Sequence, residues 1–340
     1  MTTLKPLLHI NNLSAGYHKQ LPLLKNIRLT AQRGELITLI GLNGAGKTTL
    51  LKTIAGQMNP LEGTIFLDDK NIKDYSSLRL SKLLTYASTE RFFSGYMKVI
   101  DVVSLGRFPH NNRLGISNRK DREKVLFYLD SAGLSGYAYR NIDELSDGEV
   151  QRVMLAKILA QETDLALLDE PTAFLDILNK NEITGLLKKL SEKTSKTIIF
   201  STHDLALALK ISDKIWLLNG HQIIEGAPED LLLNGSFKSI YEKENYRFDP
   251  ITGEIDFPAR KKRIIHLFPF PDEKYYLLTK KALERNGFKA ANQRNAHYSI
   301  KIKKNQNQWQ WQWIILKNND TFVCNSIYEL IQKIKLWHED

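Results

Sequence analysis

Apolar residues in this chain follow two patterns. Through roughly the first three quarters they gather in short, nearly unbroken runs, such as Leu36-Ile37-Thr38-Leu39-Ile40 and Leu165-Ala166-Leu167-Leu168. Runs of that length without alternation predict strands buried on both faces, as in a parallel sheet covered by helices. A further strand is expected over 196–200, and a helix over 48–54 that stops at Gly56. Ser146 with Glu149 three places on is a capping box, so another helix starts there and runs through Val153, Met154, Leu155, Ile158 and Leu159. Pro109 should end the helix begun near Val99.

The last quarter alternates instead. A strand is expected over 264–268 and a helix over 272–286, closed by Gly287. Tyr298, Ile300 and Ile302 alternate along a second strand. In a third, Trp309, Trp311 and Trp313 alternate with Gln308, Gln310 and Gln312, giving one aromatic and one polar face. Ser326 and Glu329 cap a final helix whose stripe of Ile327, Leu330, Ile331, Ile334 and Trp337 should pack on the tryptophan face. The order is β-α-β-β-α. The fold expected is therefore an α/β core, residues 1–257, with a small C-terminal α+β domain, residues 258–340.

Phosphate chemistry sits at the end of the first buried strand. Gly41-Leu42-Asn43-Gly44-Ala45-Gly46-Lys47-Thr48 reads G-x-x-x-x-G-K-T in a strand–loop–helix setting. Glycines let successive backbone N–H groups turn toward phosphates, and the helix N-terminus adds its positive end. The candidate nucleotide contacts are Gly41, Asn43, Gly44, Ala45, Gly46, Lys47, Thr48 and Thr49. Lys47 brings a full charge to the γ-phosphate, and the Thr48 hydroxyl suits Mg²⁺. The chain is expected to bind a nucleoside triphosphate. Asp169 and Glu170 close the strand over 165–168, at the end where open α/β sheets place ligands. Asp169 is the candidate to hold Mg²⁺ through water, and Glu170 to orient and polarise the water that attacks the γ-phosphate.

Leu145-Ser146-Asp147-Gly148-Glu149 lies shortly before those acids, and Ser201-Thr202-His203-Asp204 follows the strand over 196–200. With these motifs the chain resembles the ATP-binding cassette (ABC) family of transporter ATPases over roughly its first three quarters. The resemblance implies a P-loop ABC ATPase core with a helical subdomain at about 90–160, and ATP as the nucleotide. It implies a switch role for His203 and adenine stacking by Tyr17, for which core or hairpin packing is the alternative. It also implies that two copies close over ATP, Ser146 and Gly148 of one meeting the γ-phosphate held by the other. A capped helix N-terminus with a glycine is an anion site on physical grounds alone. The stretch 171–176 resembles the loop facing the partner copy. Separate multi-span membrane permease subunits and, indirectly, a substrate-binding protein would complete the system. The location implied is peripheral, on the cytoplasmic face of the inner membrane.

Two departures from the family pattern stand out. Asp147 and Glu149 replace the usual glycine and glutamine of the signature, and two carboxylates near a γ-phosphate repel it unless they turn away or Arg152 offsets them. The glutamine that usually senses Mg²⁺ and the membrane subunit is missing, with Thr89 at the expected position and Glu90 beside it. Residues 99–110, ending Gly106-Arg107-Phe108-Pro109-His110, resemble the helical subdomain of ATPases serving importers of iron–siderophore chelates, haem and cobalamin.

Composition narrows the setting. At 340 residues the chain has room for a full core and more than one domain. Its apolar runs fall short of the ~20 residues that cross a bilayer, and no signal-peptide pattern opens it. The lone cysteine, Cys324, excludes an intrachain disulfide and a thiolate metal cluster. The net charge is +10, and residues 258–340 hold 16 Lys+Arg against 7 Asp+Glu. Basic charge beside aromatics raises a second class, a soluble ABC ATPase acting on nucleic acid or ribosomes. No RNA-recognition signature accompanies it, the tryptophans are needed for a core, and anionic lipid explains the charge equally. Nucleic acid is not the expected partner.

Overall fold

The computed structural model describes residues 5–18, 20–88, 97–110, 119–242, 247–249, 255–256, 263–291, 298–304, 311–317 and 320–336. Thr89, Glu90, Trp309 and Trp337, with basic residues 260–262, lie outside them. The chain divides into two units, Met1–Asp256 and Phe257–Asp340.

In the first unit, β1 (Leu8–Ala15) and β2 (Leu24–Ala31) pair antiparallel, turning Leu8, Ile10, Leu13, Leu24, Ile27 and Leu29 into the core. The wholly buried β3 (Leu36–Ile40) runs through the phosphate loop into α1 (Lys47–Ile54). β4 (Glu62–Leu67) and β5 (Lys70–Asn71) complete a sheet of order β2-β1-β4-β5. After α2 (Ser77–Leu80), β6 (Leu84–Ala87) forms one edge of a second sheet. The chain then leaves that sheet for a helical subdomain of α3 (Val99–Ser104), α4 (Arg119–Ser131) and α5 (Asp147–Ala160). It returns through β7 (Leu165–Leu168), α6 (Ile177–Thr194), β8 (Thr197–Thr202), α7 (Leu205–Ile211), β9 (Lys214–Asn219) and β10 (Gln222–Gly226). Helices α8 (Pro228–Leu233) and α9 (Ser236–Tyr241) and the pair β11 (Arg247–Phe248) and β12 (Ile255–Asp256) follow.

The second sheet has the order β10-β9-β3-β8-β7-β6, parallel except for β10. Its central strands are buried on both faces, which is why they read as continuous apolar runs. Register fixes the site: Ile40 pairs with Thr202 and Leu168 with Phe200, so β3, β7 and β8 end side by side.

The helical subdomain has its own core of Val99, Val102, Val103, Val125, Leu129, Val153 and Ala156. The Gly106–His110 stretch locks it together. A Cβ on Gly106 would sit 2.2 Å from the Lys157 carbonyl, and His110 Nε2 lies 2.8 Å from the Gln161 carbonyl. The buried Arg107 guanidinium bonds Asp121 Oδ1 at 3.0 Å and the Ala160 carbonyl at 2.6 Å, with Glu162 at 2.9 Å. Phe108 alone of these faces outward, 69 % exposed.

In the second unit the order is β-α-β-β-β-β-α, two strands more than expected. β13 (Arg263–Leu267), α10 (Glu273–Arg285), β14 (Phe288–Ala291), β15 (Ser299–Lys304), β16 (Trp311–Lys317), β17 (Asp320–Cys324) and α11 (Ile327–Leu336) follow in turn. The sheet order is β14-β13-β15-β16-β17. β14 starts at once after Gly287 (φ 84°) and ends in two alanines, so it carries no clear alternation. β17 presents only Phe322 and Cys324 to the core. Trp313 is buried and donates from Nε1 to Thr279 Oγ1 at 2.7 Å, while Trp311 packs edge-on to Phe270. Leu330, Ile331 and Ile334 join Trp313 in one core, as the stripe predicts. Among the described residues no helix is long and apolar enough to cross a membrane.

One buried charge opposes folding. Lys196, just before β8, is 7 % exposed and donates to Thr163 Oγ1 at 3.3 Å, its one side-chain hydrogen bond among the described residues. Burial pushes its ammonium down to about 8, against an ordinary 10.5. Across that window the folded chain holds fewer protons than the unfolded one, so stability rises as pH rises through it. Lys196→Met is expected to add ~1–2 kcal/mol at pH 7 and to remove that slope, read by urea unfolding across the window.

Candidate active site

The site is made where β3, β7 and β8 end. Gly41 follows β3 because Leu218 Cβ of β9 would lie 2.7 Å from any Cβ there. Gly44 (φ 77°) and Gly46 (φ 103°) hold left-handed turns that other residues resist. Gly46 caps α1 with no side-chain acceptor, and no acid stands in the first turn. The N–H groups of Lys47, Thr48 and Thr49 therefore point into the loop without a side-chain partner, the arrangement that binds anions. Lys47, only 6 % exposed, donates to the carbonyls of Gly41 (3.1 Å) and Leu42 (3.4 Å). A buried ammonium surrounded by carbonyls is poised for anionic phosphate.

Across from the loop, Asp169 and Glu170 leave β7 and are fixed by Ser201, a residue to which its sequence position assigns no chemistry. Ser201, at the end of β8, donates from Oγ to Asp169 Oδ1 at 2.6 Å and accepts from the Glu170 N–H at 2.8 Å. One hydroxyl thus sets both acids. Glu170 has φ 50°, a left-handed conformation uncommon outside glycine, and costing on the order of 1 kcal/mol. That turn aims its carboxylate inward, with Oε1 3.8 Å from Lys47 Nζ and Oε2 3.6 Å from His203 Nδ1. Lys47, Asp169, Glu170 and His203 are brought together as one cluster through Ser201. The signal for Ser201 was a polar residue at the end of an apolar strand.

Asp169 accepts from the Ser201 hydroxyl at 2.6 Å, and Thr48 stands in the first turn of α1. A hydroxyl and a carboxylate are hard oxygen donors, few in number, which fits Mg²⁺ completed by phosphates and water. Tyr17 is 68 % exposed at the turn after β1, so its ring belongs to no core.

Ser146 and Gly148 lie elsewhere, at the N-terminus of α5. The capping box forms as expected. Among the described residues the side-chain hydrogen bonds of Ser146 run to Glu149, not to the phosphate loop. Glu149 turns back on its own cap, taking the Ser146 N–H and O–H at 2.8 Å each. Arg152 pairs with Glu182 at 2.5 Å. A Cβ on Gly148 would come within 2.3 Å of Asn179 Oδ1, so only glycine lets α6 pack this close to the start of α5. Asn179 bonds Asp176, the residue that caps α6 at the end of the 171–176 loop. Phe174 in that loop stands 92 % exposed at φ 63°.

The ABC transporter family model matches residues 24–173, and the iron ABC transporter C-terminal domain model matches residues 265–335. An uncharacterised ABC transporter ATP-binding protein of Methanocaldococcus jannaschii is 36 % identical over 262 residues, covering 76 % of this chain and 90 % of its own. The iron(3+)-hydroxamate import ATP-binding protein of Bacillus subtilis is 35 % identical over 237 residues, 69 % of this chain and 87 % of its own. A solved ATP-binding cassette, a dimer in a post-hydrolysis state with ADP and phosphate, matches with a TM-score of 0.57 at 27 % identity, covering 65 % of this chain and 98 % of that one. This chain belongs to the ATP-binding proteins of ABC transporters and is an ATPase of that family.

Proposed function

We propose that this ATPase powers an importer of iron–siderophore chelates, the class that also takes haem and cobalamin. The iron-hydroxamate relative and the iron-transporter model over residues 265–335 support that substrate class. The protein would sit on the cytoplasmic face of the inner membrane, docked on two multi-span permease subunits that a substrate-binding protein serves.

The observation that carries the hydrolytic mechanism is the strained, inward turn of Glu170. Its carboxylate faces the terminal phosphate position from beside Lys47 and His203, where it orients and polarises the attacking water. Asn43, Gly44, Ala45 and Gly46 wrap the phosphates with backbone N–H groups, and Lys47 moves its charge onto the γ-phosphate. Thr48 and Asp169 would hold Mg²⁺, which would supply neutralisation of phosphate charge. His203 contacts the γ-phosphate from the end of β8, and the exposed Tyr17 stacks on adenine. A second copy supplies Ser146 and Gly148 to complete the site, with Phe174 in the loop between the two. The place of Ser146 at the start of α5, with its hydroxyl bonded to Glu149 and not to the phosphate loop, supports the two-copy arrangement.

Three outcomes test this reading. Glu170→Gln is expected to keep ATP binding and to lower turnover by at least about 100-fold, trapping an ATP-bound dimer. Cells whose only copy carries that change should then fail to accumulate radioiron from a ferric hydroxamate; normal uptake would remove this protein from that import. Ser201→Ala loosens both acids at once, so kcat should fall by roughly tenfold or more while ATP affinity stays within about twofold. Deleting residues 257–340 should leave Mg²⁺-dependent hydrolysis largely intact, since none of the proposed nucleotide contacts lies there; loss of nucleotide binding would contradict that division.

A further inference from the structure

Residues 258–340 hold 16 Lys+Arg against 7 Asp+Glu, and none of the proposed nucleotide contacts draws on that charge. Where part of it sits follows from the packing of two helices. Ile265, Leu267, Ile300, Ile302, Trp313 and Ile315 alternate toward one side of the sheet, and α10 and α11 both join that core. α10 turns Thr279, Ala282 and Leu283 inward. At about 100° per residue, Lys274, Leu277, Leu278, Lys281 and Arg285 fall together on its opposite side, and all of them are exposed. α11 turns Leu330, Ile331 and Ile334 inward, which leaves Tyr328, Gln332, Lys335 and Leu336 exposed on its outer side.

The two helices touch, so their outer sides form one layer of leucine and tyrosine set among lysine and arginine. Its acids are fewer and less available. Glu284 is half-buried, Glu273 opens α10, and Glu329 takes the Asn325 N–H at 2.8 Å. Several large apolar side chains left in water on one layer mark a contact surface, and the cations around them fix the sign of the partner. The same face of a second copy would meet like charge. Single-stranded nucleic acid is bound by aromatic rings that stack on bases, whereas this layer is mostly aliphatic. An anionic lipid surface matches both features. Leucines enter the acyl boundary, Lys and Arg stems lie along the apolar surface with their charges among head groups, and tyrosine sits at head-group level.

We propose that the outer side of α10 and α11 lies on an anionic lipid surface, giving the ATPase a hold on the membrane that is separate from its permease contacts. The opposite face of the sheet provides the contrast. Lys289, Lys301 and Lys303 are exposed there too, yet its exposed aliphatic residues, Ile264 and Val323, stand three strands apart on β13 and β17. Charge without a clustered apolar patch gives weak attraction and no insertion.

The test is co-sedimentation of the full chain with permease-free vesicles of phosphatidylcholine, alone or mixed with phosphatidylglycerol, at physiological salt. Leaving out the permease keeps this result apart from the import reading. Binding is expected on the anionic vesicles only, weakening as salt rises. Lys274→Glu, Lys281→Glu and Arg285→Glu together should lower the partition coefficient at least about tenfold. Leu277→Ser with Leu278→Ser, which leaves the charge unchanged, should lower it about fivefold. The matched reversal on the sheet face, Lys289→Glu, Lys301→Glu and Lys303→Glu, should cost less than about threefold. Near-ultraviolet circular dichroism, which reads the buried Trp313, confirms that each variant is folded, and ATP hydrolysis should not change. Equal losses from the two reversals, or no loss from the leucine change, remove the helix layer as the contact surface. Absence of vesicle binding, or equal binding to neutral vesicles, overturns the proposal. RNA that displaces the chain from anionic vesicles at physiological salt would assign the surface to nucleic acid instead.

Discussion

The parallel pairing of β3 with β8 and of β8 with β7 is the constraint on which the rest depends. Each strand alone ends in a short polar stretch of no particular meaning. The register Ile40–Thr202 and Leu168–Phe200 puts the phosphate loop, two acids and Ser201-Thr202-His203 at one edge. The three strands are buried on both faces, so slipping that register would force both buried faces to repack and carry the polar ends out of line. Ser201 then converts alignment into geometry, because a single hydroxyl at 2.6 and 2.8 Å sets both acids. The backbone strain at Glu170 persists because this bond and the buried strand behind it leave no relaxed alternative.

How much of this was legible in the sequence depended on where the information lay. β3 and β7 could be read because unbroken apolar runs of four or five residues leave little choice. β8 was expected over 196–200, yet it runs Thr197–Thr202. The reading stopped where polarity began, and the polar end of the strand is where the chemistry is. Capping boxes at Ser146 and Ser326 were readable because they are local. β14 and β17 were not, since one ends in alanines and the other turns only two side chains inward. Arg107 was legible only as part of the stretch that resembles the helical subdomain of iron-chelate importer ATPases. It is instead a buried bridge to Asp121, Ala160 and Glu162, partners up to 55 places away that no local pattern reveals. Gly148 is similar. Its neighbour Asn179 arrives from α6 by tertiary packing.

The same contrast separates the two halves of the catalytic reading. Within one chain Glu170 lies less than 4 Å from both Lys47 and His203. Ser146 satisfies its hydrogen bonds with Glu149 on its own helix. A single chain therefore presents the Lys47–Glu170–His203 cluster and, elsewhere, a capped helix end whose serine hydroxyl bonds Glu149. The Asn179–Asp176 bonds tie the start of α6 to the loop bearing the exposed Phe174, and Asn179 packs against Gly148 at that helix end.

The central claim is that hydrolysis needs Lys47 from one copy and Ser146 from another. It is tested most directly by mixing two inactive variants, Lys47→Ala and Ser146→Ala. A mixed dimer contains one site with both residues intact, so ATPase activity absent from either variant alone should return on mixing and scale with the fraction of mixed dimer. Two variants that stay inactive at every ratio, while forming mixed dimers, would contradict the account.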